Sequence, residues 1–240
     1  TYTISSKFSV FNQESGEVIS PRKAIQYVEN SLRYLCGDEL DLLLLGASSA
    51  GEDFKKAMST LRPTFERLIQ EGKLRHLGSS EKSSDDGKHL WLAEAVQDDL
   101  IDVVMIAYNM MNQSAEKSIF TTCRAKNIGA MGIYTVRNIF SKPERLKEVI
   151  AELKQDAFLD DQVSEIDPFG WLLDDVETSL ISAAYRFSAA NKSISTIVTV
   201  STYIPHLEAN VKILEKPWLC LLYTSTRPRD RGCARKTSTA

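Results

Sequence analysis

The run Asp41-Leu42-Leu43-Leu44-Leu45 constrains the fold most. A short continuous apolar run of this kind is expected of a parallel strand buried on both faces, because helices cover both sides of such a sheet. Asp102-Val103-Val104-Met105-Ile106-Ala107-Tyr108 has the same character and ends in Asn109. Between the two lies an amphipathic stretch, Phe54 to Gln70, with apolar residues near the helical period. Gly72 suits the C-terminal end of that helix, since it takes positive φ without a Cβ penalty. His76-Leu77-Gly78-Ser79 then reads as a buried strand, with Ser80 and Glu81 at its C-terminal end. In parallel α/β folds ligands bind at those ends.

The rest of the chain repeats this unit. Tyr2 to Val10 is rich in β-type residues and reads as a strand, with Lys7 near its end. Ser20-Pro21 is a strong helix start, and the helix runs to about Leu35, ended by Gly37. Gly46 to Gly51 is a small-residue loop. Helices are expected over Leu90–Gln97, Ser114–Lys126, Leu146–Leu153, Glu177–Phe187 and Pro205–Leu214. Strands are expected over Ile128–Tyr134 and Ile194–Val200, and Asp156–Phe169 is a loop-rich insertion. A β, α alternation repeated about six times excludes an antiparallel sandwich. It leaves a (β/α)8 barrel without its first units, or an open doubly wound sheet. No glycine-rich phosphate loop of the dinucleotide or P-loop type is present, which lowers the second.

Composition narrows the class further. A net charge of −3 gives no reason to expect nucleic acid or a membrane as partner. No apolar run approaches the roughly 20 residues that span a bilayer, and no signal peptide is visible. The cysteines at 36, 123, 220 and 233 are scattered without metal spacing, so reduced thiols and a cytoplasmic location are expected. The chain starts at Thr1 directly in a strand-like segment, which suggests an N-terminally incomplete sequence. Residues 1–220 are expected to form the folded part. Residues 221–240, with Arg227, Arg229, Arg231 and Arg235, are expected to be a disordered tail of frameshift or cloning origin.

Several phrases together resemble the aldo-keto reductases. Gly72 to Glu81 is similar to that family's Gly-Lys-x-Arg-x-x-Gly-x-Ser-Asn phrase. Ser20 to Leu45, Asp102 to Met111 and His206 to Asn210 each resemble a family segment, in the family's order and spacing. The resemblance covers roughly Tyr2 to Leu219. It implies an α/β fold, a (β/α)8 TIM barrel with the first βα units missing. It also implies NADPH-dependent reduction of an aldehyde or ketone carbonyl, with NADH as the alternative donor and a small-molecule carbonyl as substrate.

Such a reductase needs a proton for the carbonyl oxygen. The family uses a Tyr whose pKa is lowered by a neighbouring Lys, itself paired with an Asp. Lys7 matches the family lysine; its plain alternative is a solvated lysine. The Tyr and Asp belong to family units that precede Thr1, so the chain as given is expected to be inactive by itself. Where the family often places a His, this chain has Gly46, or Leu45 if the register slips by one. For the cofactor, Ser80 matches the serine that binds the carboxamide, and Glu81 replaces the following Asn. Met105 stands where many members have Gln. Tyr134 matches the aromatic that stacks on nicotinamide, and Arg137 lies where it could reach the pyrophosphate. Ser201, Thr202 and Asn210 match the adenosine end. His206 falls where an Arg for the 2′-phosphate is common, which leaves NADP over NAD open. The departures at Gly46, Glu81 and Met105 keep a second reading alive: a non-catalytic NADPH-binding regulatory or scaffold protein on the same barrel.

Overall fold

The structure is a computed structural model, and it describes residues 2–47, 53–82, 88–173 and 179–215. The expectations for the loop 48–51, for Glu177 and for the tail after residue 220 fall outside the described residues. The chain divides into two compact units, one of residues 1–108 and 112–133, the other of residues 109–111 and 134–240.

The first unit alternates strands and helices. In order these are β1 (Ser5–Ser9), α1 (Pro21–Leu35), β2 (Leu40–Gly46), α2 (Phe54–Gln70), β3 (Leu74–Ser80) and α3 (Leu90–Ala95). They are followed by β4 (Ile101–Ala107), α4 (Ala115–Ser118), α5 (Phe120–Lys126) and β5 (Gly129–Ile133). The strands pair in sequence order, β1-β2-β3-β4-β5, and every pairing is parallel. The leucine run is the second strand of this sheet, and Leu43, Leu44 and Leu45 are at most 2% exposed. Burial on both faces is why its sequence does not alternate.

The helix ends follow their residues. Ser20 accepts from the Lys23 amide at 3.3 Å, with Pro21 at the first helical position. Cys36, one residue before the expected glycine, takes the left-handed C-terminal position of α1 at φ 51°. Gly72 takes that conformation after α2, as its lack of a Cβ predicts, at φ 72°. Asp53 caps α2 through the Lys56 amide, and Glu94 of α3 reaches the Phe54 amide at 3.1 Å. The single helix expected over Ser114–Lys126 is two, broken at Ile119.

In-register residues of neighbouring strands share a face of the sheet. Ser6 and Phe8 face α1: the Ser6 hydroxyl lies 2.9 Å from that of Ser31, and the Phe8 ring stacks on Tyr27. Leu43, Leu45, Ser79, Val104, Ile106 and Ala130 lie on this outer face and are buried. Trp91 of α3 covers it, with its indole N–H on the Ser79 hydroxyl at 2.8 Å and its ring edge-on to Phe54. Truncating a buried ring of this size to Ala costs about 3–5 kcal/mol. The inner face carries Lys7, Leu44 and Gly46, then Gly78 and Ser80, then Val103 and Met105, then Met131 and Ile133. The register shifts between Leu77 and Gly78 where β3 meets β4.

At the surface, Arg62 of α2 bonds Asp98 at 2.7 Å and also Asp99, and it holds the Asp99 carboxyl below the usual carboxylate range. Exposed pairs of this kind contribute little to stability.

The second unit contains α6 (Arg137–Ser141), α7 (Pro143–Gln155), a 3-10 turn (Gly170–Leu172), α8 (Leu180–Ala189), β6 (Thr196–Ile197) and α9 (Ile204–Glu215). The strand expected over Ile194–Val200 is only two residues long. The loop after α7 is tied back by Lys154, which bonds the Asp161 carbonyl at 2.9 Å and pairs with Glu165. Phe140 meets Phe169 edge to face at 5.8 Å. Among the described residues no helix is long and apolar enough to cross a membrane.

Candidate functional site

In the first unit the candidates Lys7, Ser80 and Met105 lie on the inner face. Lys7 is the third of five residues in β1, not at its end, and it is exposed. It lies against Gly46: a Cβ there would stand 3.8 Å from Cδ of Lys7 and 3.4 Å from the Phe8 carbonyl. Ser80 ends β3 and pairs in register with both Gly46 and Met105. The sheet thus carries Lys7, Gly46, Ser80 and Met105 on one face, Ser80 at the carboxyl end of its strand.

Ser80 is 1% exposed, and its hydroxyl has no hydrogen-bond partner. A buried hydroxyl without a partner costs about 1–3 kcal/mol. Such an orphan suits a ligand that brings a polar group, and a carboxamide can both donate to it and accept from it.

Glu81 behaves differently. One carboxylate oxygen accepts the Ala107 amide at 2.8 Å, and the other lies 2.6 Å from Nδ1 of His89. Nε2 of His89 lies 2.8 Å from the Ser114 hydroxyl, which donates onward to the Asn112 side-chain carbonyl. Both acid and imidazole are buried. The oxygens of Glu81 are therefore occupied within the protein. His89 was not picked out in the sequence, because a lone histidine before a short helix carries no periodic signal. Its partnership with a strand-end glutamate eight residues earlier is visible only in three dimensions.

In the second unit, Tyr134 and Arg137 stand together. Both hold left-handed backbone, φ 59° and 46°, and the Arg137 guanidinium carbon lies 4.1 Å from the Tyr134 ring centre. The Tyr134 carbonyl accepts from the Asn109 side chain at 3.0 Å. Between the two, the Thr135 hydroxyl is buried and has no partner. Non-glycine residues in this conformation carry strain of about 1–3 kcal/mol each and cluster at functional loops. An exposed guanidinium suits a phosphate group.

The adenosine-end candidates are less uniform. Thr202 is exposed. The Ser201 hydroxyl bonds the amide and carbonyl of Tyr203. Asn210 is buried, and its amide donates to the Thr199 hydroxyl at 2.6 Å and to the Tyr185 hydroxyl at 3.4 Å. Its side chain thus joins α9 to α8. His206 is exposed and meets the Tyr203 ring edge-on.

The parallel strand–helix succession, with polar groups at strand ends, is that of a (β/α)8 barrel, of which the chain carries a part. A model of the Aldo/keto reductase family matches residues 1–218. The chain belongs to this family, whose members are oxidoreductases. Among solved structures it is similar to the holo form of aldo-keto reductase AKR11C1 from Bacillus halodurans, with TM-score 0.69 and 18% identity, covering 93% of this chain and 70% of that one. The apo form of the same enzyme gives TM-score 0.65 at 19% identity, over 92% and 69% of the two chains. The thermostable aldo-keto reductase Tm1743, solved with the inhibitor epalrestat, gives TM-score 0.61 at 17% identity, over 92% and 68%. At these identities the likeness concerns the fold. No curated protein matches the chain.

Proposed function

We propose the function of an NADPH-dependent oxidoreductase that reduces aldehyde and ketone carbonyls to alcohols, with NADH as the alternative donor. The observation that carries this reading is the Ser80 hydroxyl, buried and unpartnered at the end of β3, on the sheet face that also carries Lys7. Family membership supplies the reaction class.

When bound, the reduced dinucleotide supplies the hydride. The residues of this chain do the rest of the work assigned here. Ser80 would hydrogen-bond the carboxamide, and Met105 would give an apolar contact beside it. In the second unit, Tyr134 would offer a ring face, Arg137 a charge for phosphate, and Ser201 and Thr202 hydroxyls for the adenosine end. Asn210 would act mainly by holding α9 in place, since its amide is already bonded. Lys7 would present its cation to the proton-donating group. The free thiols of Cys36 and Cys123 support a cytoplasmic location.

A second reading, an NADPH-binding protein without turnover, is favoured by one observation: Gly46 offers no donor to a carbonyl oxygen. The two separate in one experiment. NADPH fluorescence titration is run beside NADPH oxidation with a panel of aldehydes and ketones, on the chain extended by a segment that supplies the family's Tyr and Asp. Binding with turnover supports the reductase. Tight binding without turnover selects the second reading, and no binding rejects both.

A further inference from the structure

We propose that His89 is a positioning residue, which fixes the Glu81 carboxylate against β4 and so holds Ser80 in place on the inner face. The consequence for ligand binding rests on the reading of Ser80 as a dinucleotide contact.

The strand pairing shows what Glu81 replaces. The β3–β4 register runs to Ser80 and Met105, and the Glu81 amide still donates to the Met105 carbonyl at 3.4 Å. The next donor on β4 is the Ala107 amide. A longer β3 would meet it with a backbone carbonyl. Here the chain leaves the sheet, and a carboxylate oxygen of Glu81 meets it at 2.8 Å. One side chain thus extends the ladder by a rung, directly after Ser80.

The second oxygen of Glu81 is buried as well, and a buried acceptor left without a donor is costly. His89 holds that oxygen at 2.6 Å, and Ser114 anchors the far side of the ring. Because the Ser114 hydroxyl donates to Asn112, its oxygen accepts from Nε2 of His89. The ring therefore donates at Nε2 and meets the Glu81 carboxylate through Nδ1. His89 meets this arrangement at φ 56°, a conformation that disfavours side chains. A residue kept in a strained conformation by its surroundings points to a use for its ring.

Two variants of the full chain separate positioning from plain structural support. His89→Gly accepts the backbone conformation without strain and removes only the ring. Glu81→Gln keeps an oxygen for the Ala107 amide and offers an N–H to Nδ1. Amide hydrogen exchange at Ala107 is read against Val104 and Ile106 on the same strand, and NADPH affinity is read by fluorescence titration. The expected result for His89→Gly is faster exchange at Ala107 with Val104 unchanged. NADPH affinity should weaken by about tenfold, the scale of one net hydrogen bond. Glu81→Gln should keep the Ala107 amide protected. Unchanged Ala107 exchange in His89→Gly, or rapid exchange in Glu81→Gln, would overturn the proposal. Weakened NADPH binding with Ala107 still protected would also overturn it, because the ring would then touch the ligand itself. Failure of the unaltered chain to bind NADPH would reject the dinucleotide reading alone, and the exchange data would still decide the role of His89.

Discussion

The side chain of Lys7 lies over Gly46, 3.8 Å from the point where a Cβ at that glycine would stand. The neighbouring strands thus bring the lysine beside this glycine. All three nearest contacts a Cβ would make there, with the Phe8 carbonyl and with Cγ and Cδ of Lys7, are of ordinary van der Waals length. Gly46→His should therefore fold with little change in melting temperature. If the chain reduces carbonyls, the added donor should raise turnover by up to about 10²-fold, the scale of one well-placed hydrogen bond to a developing oxyanion. Steady-state kinetics with a fixed aldehyde would check this, and a loss of both stability and turnover would refute it.

Lys7→Met should leave stability almost unaltered, since the lysine is exposed. NADPH affinity should stay within a few-fold of the parent. In the chain extended by the family's Tyr and Asp, turnover should fall by about 10²- to 10⁴-fold, the contribution general acid–base catalysis makes. Unchanged turnover would remove Lys7 from the reaction.

Gly78→Ala should destabilise the first unit. A Cβ there would stand 2.7 Å from the Val103 carbonyl and 2.8 Å from a methyl carbon of Leu44. The leucine can turn aside, but the carbonyl belongs to the paired strand at the register shift. A loss of about 1–3 kcal/mol is expected for overpacking of this kind, measured by urea unfolding. A variant as stable as the parent would show that β3 and β4 can separate there.

Cys123 should be inert where Cys36 is reactive. Burial raises the Cys123 thiol to about 11, whereas Cys36 is exposed. Alkylation read peptide by peptide should mark Cys36 in the folded chain and Cys123 only on unfolding. The sign of the pH effect follows. Between about pH 9 and 11 the unfolded thiol ionises while the folded one stays protonated, so stability falls across that window and is flat below it. Cys123→Ala should flatten that part of a denaturation series, and an undiminished slope would contradict the assignment.

How much of this was legible beforehand depended on whether a signal was local. Leu42 to Leu45 announced a buried strand because burial on both faces leaves an uninterrupted apolar run, whereas Val103 to Ala107 is just as apolar although Val103 and Met105 are only half-buried. Ser20-Pro21 and Gly72 announced helix ends through backbone chemistry of their own. The break at Ile119 and the five-residue helix after Tyr134 gave no such sign. Ile194 to Val200 is β-branched enough to read as a full strand, yet only Thr196 and Ile197 are extended in a sheet. Ser80 could be picked out by its phrase, but its lack of a partner could not. The resemblance of Glu81 to a ligand position pointed toward the cofactor, whereas its oxygens are bonded to Ala107 and His89.

The two faces of the sheet answer to different demands. Val104, Ile106 and Ala130 on the outer face are fully buried, while Val103, Met105 and Met131 on the inner face are half-buried. A change at Val104 is tested first by whether the chain folds, but a change one residue away at Met105 is tested by what the chain can bind. Variation could therefore explore new ligands along alternate residues of β4 and β5 without endangering the scaffold, and saturation mutagenesis should return tolerance with a period of two. Met105 and Met131, adjacent in register, are where such a search would begin.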